Sequence, residues 1–63
     1  MIYSIKDETN HELKDNRLRN EIIFSAKINL QYTDYEGVRY HIEKMPTERV
    51  GFKEIRIRKD ENV

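Results

Sequence analysis

Between Ile22 and Tyr32 the segment IIFSAKINLQY places Ile22, Phe24, Ala26, Ile28, Leu30 and Tyr32 on even positions and Ser25, Lys27, Asn29 and Gln31 on odd ones, with Ile23 alone out of step. A period of two marks a strand with one buried face. On a helix Ile22, Ala26 and Leu30 would share a stripe, but Phe24 and Ile28 would point away from it. The pattern therefore predicts a long strand over 21–32 with Phe24, Ile28, Leu30 and Tyr32 inward, one that must bend for both halves to reach a small core.

Two further alternations follow it. TDYEG, residues 33–37, reads as a five-residue connection, after which VRYHIEKM puts Val38, Tyr40 and Ile42 inward and Arg39, His41 and Glu43 outward. Pro46 cannot donate to a central ladder and stops that strand. Beyond Gly51, FKEIRIRK places Ile55 and Ile57 on one face and Glu54, Arg56 and Arg58 on the other. The opening MIYSIK adds a strand with Tyr3 and Ile5 inward. Residues 9–20 admit two readings. Thr9 followed by Glu12 resembles a capping box for a short helix; a hairpin turning at Asp15-Asn16 would instead set Leu13 opposite Leu18 and Glu12 opposite Arg19. The hairpin, or an irregular excursion, is the preferred reading.

The predicted fold is mainly β: an antiparallel meander of about four strands, near 1–6, 21–32, 38–45 and 53–59, curled into a half-barrel or packed against a second copy. Residues 1–59 form its single domain and 60–63 a disordered polar tail. A chain of 63 residues without cysteine buries only about 60% of its unfolded surface and has no disulfide or thiolate zinc site to compensate. A symmetric dimer, in contact through the first strand or the outer face of the second, is therefore expected. Ile2 and Ile23, off the inward parity of their strands, supply its apolar contact.

Function is bounded mainly by exclusion. Twelve basic residues balance twelve acidic ones. Charges at Lys6, Asp7 and Glu8 interrupt any signal-like apolar run, and nothing approaches the roughly 20 apolar residues of a membrane span; the expectation is a cytoplasmic protein. Plentiful Ile, Lys, Asn and Tyr with a single Ala and a single Pro follow AT-rich codons and point to a low-GC bacterium, its phages or its plasmids. His11 and His41 are the only histidines, without spacing for a metal site, so no cofactor or metal is expected. No glycine-rich phosphate loop or activated serine is present, and the carboxylates of DYEG sit in a turn.

The outer face of the predicted sheet carries Lys27, Arg39, His41, Arg56 and Arg58 against Glu43 and Glu54, and Tyr35 projects from the hairpin loop between two acids. These six residues, Lys27, Tyr35, Arg39, His41, Arg56 and Arg58, are the candidate partner-binding set. The leading functional expectation is a non-enzymatic binding module, a small regulator or inhibitor that docks on a larger cytoplasmic protein. The alternative is nucleic-acid binding by the basic outer face, against which counts its lack of the stacking aromatics of sheet-type binders, since Tyr32 and Tyr40 have the parity of the core.

Overall fold

Asp15 is the residue on which the chain turns into a helix. In the computed structural model, which describes residues 2–60, its carboxylate accepts hydrogen bonds from the backbone N–H groups of Arg17 (3.0 Å) and Leu18 (3.3 Å). These are two of the donors a helix start leaves unpaired. Helix α1 runs Asn16–Lys27 and buries Leu18, Ile22, Ser25 and Ala26, a stripe at i, i+4, i+7 and i+8. It ends at Asn29, whose φ of 62° reverses the chain. Asn29 N–H donates to the Ala26 carbonyl and Leu30 N–H to that of Ser25, the paired closure of a Schellman motif.

This helix replaces most of the strand expected over 21–32. The even-position alternation there is real in sequence but does not correspond to burial: Phe24, Ile28 and Leu30, expected inside, are exposed, whereas Ser25 is buried. Ser25 is accommodated because the Thr33 hydroxyl donates to its oxygen, so neither polar side chain is left without a partner. The hairpin at Asp15-Asn16 is likewise overturned, since Asp15 caps the helix.

The sheet comprises β1 (Ile2–Lys6), β2 (Tyr32–Tyr35), β3 (Val38–Met45) and β4 (Phe52–Asp60) in the order β1-β4-β3-β2. β2, β3 and β4 form an antiparallel meander, as expected, but β1 does not continue it. β1 runs parallel to β4 while the other pairs are antiparallel, because α1 carries the chain across one face from β1 to the opposite edge. The result is an open mixed sheet with a helix on one side. Thr33, Asp34 and Tyr35 belong to β2, so the connection is the two residues Glu36 and Gly37, at φ 50° and 79°. Two positive φ values are the requirement of a type I′ hairpin, which glutamate meets poorly and asparagine well. Glu36→Asn is accordingly expected to stabilise the domain by about 0.5–1 kcal/mol, read as a higher urea midpoint with unchanged slope.

The inward residues of β1, β3 and β4 are those the alternation marks. Ile5, Ile42, Ile55 and Ile57 join Leu18, Ile22 and Ala26 in one core, with Tyr3, Leu13, Ile23, Tyr35 and Tyr40 packed around it. Ile23 thus belongs to the core margin and is not an uncovered residue.

Residues 7–15 form an irregular excursion. The Asp7 carboxylate accepts from the Thr9 N–H and hydroxyl and from the His11 N–H. Glu12 starts no helix; it bridges back to Lys6, and its carboxylate meets Arg19 at 3.2 Å. Of the expected tail, Asp60 ends β4 opposite Arg39, and 61–63 lie outside the described residues. No helix among the described residues is long and apolar enough to cross a membrane.

Candidate functional site

With α1 on one face, the other face of the sheet is open except where Glu8 borders His41, Glu43, Arg56 and Arg58, and strand register arranges its side chains in rows. Tyr32 lies opposite His41, and His41 opposite Arg58; Asp34, Arg39 and Asp60 form the next row. On the other side Glu43 faces Arg56, which faces Lys6, and Met45 faces Glu54. Tyr32 is 47% exposed. The Arg39 guanidinium lies 4.3 Å from its ring centroid and donates from Nε to Asp34 Oδ1 at 2.8 Å and from Nη2 to Oδ2 at 3.2 Å. That hydrogen bond and charge hold the Asp34 carboxyl below its ordinary value and raise Arg39 above its own. The planar guanidinium thus stacks and pairs at once, a geometry lysine cannot supply.

Four of the six sequence-selected residues meet here: Arg39, His41, Arg56 and Arg58. The other two do not. Lys27 closes the last turn of α1, where a cation complements the helix dipole. Tyr35 sits on the helix side of β2, packed on the core margin and away from the loop tip. Tyr32, assigned inward by the strand reading, is the aromatic that reading found missing from the outer face. Its parity shows once β2 is taken to start at Tyr32, in register with His41.

The redistribution changes the electrostatics. Counted along the rows, the outer face holds four cations, Lys6, Arg39, Arg56 and Arg58, and four carboxylates, Asp34, Glu43, Glu54 and Asp60. The expected basic excess is gone. Arg56 and Arg58 make no ion pair among the described residues, so their donors remain available.

A second concave surface opens where α1 and β3 finish. A cleft of about 610 Å³ is lined by Lys27, Lys44, Arg49 and Lys53 together with Tyr3, Met45, Phe52 and Glu54. Lys44 Nζ donates to Asn29 Oδ1 at 2.8 Å, and the Arg49 guanidinium lies 4.8 Å from the Phe52 ring centroid. None of the four cations is ion-paired among the described residues. Sequence reasoning missed this group because its members come from four separate segments.

Among the described residues no three His, Asp or Glu side chains converge as metal ligands. The buried polar side chains are Ser25 and Thr33, which satisfy each other. No protein-family model matches the chain, and neither curated proteins nor solved structures give a match.

Proposed function

We propose that the chain is a non-enzymatic protein-binding module that docks through its open sheet face. The observation that carries this reading is the row Tyr32, His41 and Arg58 beside the Arg39 stack, on a face whose charges cancel. Tyrosine and arginine are the residue types that dominate binding energy when a partner desolvates them, and a neutral, mixed-sign surface suits a protein better than a polyanion. The buried hydroxyls of Ser25 and Thr33 are spent on each other, so neither is poised as a nucleophile.

The test is affinity capture from the source organism's lysate with the wild type and with an Arg56→Glu/Arg58→Glu double variant. Both side chains are exposed, so the melting temperature should hardly move. A protein retained by the wild type and lost by the variant is the expected result. Equal recovery would remove both arginines from the site.

A second reading, binding to a phosphate-bearing strand, is favoured by the end cleft, which Lys27, Lys44, Arg49 and Lys53 line together with Phe52, the Arg49 guanidinium lying over the Phe52 ring. Phosphate-driven binding weakens steeply with salt. A gel shift of single-stranded oligonucleotides that disappears at moderate salt, and in a Lys44→Glu/Lys53→Glu variant, would establish this reading in place of the first.

A further inference from the structure

The two edges of the sheet are unequal, and the difference suggests a second copy of this chain. On β1 the odd residues turn their main-chain groups outward, and each of the following is occupied. The Tyr3 carbonyl accepts from Arg19 Nη2 at 3.1 Å, Ile5 N–H donates to Glu12 Oε2 at 2.9 Å, and the Ile5 carbonyl accepts from Leu13 N–H at 2.8 Å. Those three groups are spent within the chain, which makes β1 a poorer edge for a partner strand than the sequence suggests.

On β2 the situation is the reverse. Ile42 N–H donates to the Gln31 carbonyl at 2.8 Å, and antiparallel alternation from that bond turns Gln31, Thr33 and Tyr35 toward β3. Tyr32 and Asp34 therefore direct N–H and C=O outward, and among the described residues these groups have no partner. We propose that β2 pairs antiparallel with β2 of a second copy across a twofold axis at Thr33, joining two four-stranded sheets into one.

Three features favour a copy over another extended segment. The first is self-complementary register: with the axis at Thr33, Tyr32 of one copy faces Asp34 of the other, and each such pair exchanges two hydrogen bonds. The second is charge. Asp34 arrives beside the other copy's Tyr32 already paired to Arg39, so no like charges stand directly opposite.

The third is the helix flank. Arg19 reaches β1 from one side of α1; the opposite side carries Phe24 and Ile28, 61% and 52% exposed. That side borders β2, where Thr33 bonds Ser25. A twofold axis at Thr33 sets the two helices on the same side of the joined sheet, each with its Phe24 and Ile28 flank exposed. Phe24 and Ile28 on the helix side and Tyr32 on the outer face together expose on the order of 300 Å² per copy. Burying them in both copies, together with the strand edges, would approach the roughly 1,000 Å² at the lower bound of a specific interface.

The test combines sedimentation equilibrium with hydrogen exchange over a range of protein concentration. The expected result is a mass rising from 7.7 kDa toward twice that value, with the Tyr32 and Asp34 amides protected only at high concentration. Phe24→Lys, at an exposed position, should leave monomer unfolding unchanged and weaken association at least about tenfold, as for loss of a central aromatic. Asp34→Pro, which removes an outward donor and no ladder bond but also the Arg39 ion pair, should weaken association as well. A strictly monomeric mass overturns the proposal, as does a dimer whose Tyr32 and Asp34 amides exchange freely, or a monomer whose β2 edge is protected only by an added apolar β-strand peptide.

Discussion

Ile22→Ala is expected to remove about 2–5 kcal/mol, a large part of the domain's stability, whereas Ile28→Ala should cost less than about 1 kcal/mol. Ile22 is fully buried in the middle of α1, among Ile5, Leu18 and the sheet isoleucines. Truncating a side chain so enclosed costs about 2–5 kcal/mol, because lost transfer energy and an unfilled cavity add. A domain of this size has only about 3–9 kcal/mol in total. Ile28, at the helix C-cap, is 52% exposed and leaves little cavity behind. Urea denaturation of both variants measures the contrast. On the alternating-strand pattern both isoleucines would be core residues, so comparable losses would contradict the helix.

Glu12→Ala is expected to cost about 1–3 kcal/mol, the penalty for leaving a part-buried donor unsatisfied. Burial by itself would push the Glu12 carboxyl up. Hydrogen bonds from Ile5 N–H, the Ser4 hydroxyl and Arg19, with the arginine's charge, outweigh that and hold it below the ordinary 4.5. The sign of the pH dependence follows. A carboxyl whose folded pKa is depressed contributes stability that is fully present above its unfolded value and is lost as pH falls through the folded one. The melting temperature of the wild type should therefore drop below about pH 4.5, and Glu12→Gln should flatten that part of the profile. Faster exchange of the Ile5 amide in Glu12→Ala would locate the damage at the β1 edge; an unchanged amide would show that Glu12 does not guard it.

Strands β1, β3 and β4 are legible in sequence because each buries one face, so Ile5, Ile42, Ile55 and Ile57 stand out by parity alone. Helix α1 is not, for a specific reason. Phe24, Ile28 and Leu30 are apolar and exposed, and their even spacing imitates a strand more convincingly than Leu18, Ile22 and Ala26 advertise a helix. Asp15 before that stripe and Asn29 after it are the signals that decide, and the polar Ser25 obscures them because its burial depends on Thr33 across the fold.

Of the outer face, Arg39, His41, Arg56 and Arg58 were readable from alternation. Tyr32 was hidden by the misplaced strand, and the neutralising carboxylates Asp34 and Asp60 were assigned to a loop and a tail. The pairing of β1 with β4 has no local signature, since parallel register is set by tertiary packing alone.

That pairing also has a consequence for how the molecule is made. β4, last of the strands in sequence, lies second in the sheet and joins β1 to β3, with Ile2 against Phe52 and Ile42 against Ile57. During translation α1 and the β2–β3 hairpin can form from neighbouring residues, but β1, although synthesised first, has no strand to join until β4 leaves the ribosome. Contacts between such distant positions slow folding and leave apolar surface uncovered in the meantime. Ile5 therefore waits for Ile55, and Ile42 for Ile57, until β4 has been made, and a nascent chain stalled before residue 52 is one that chaperones should hold.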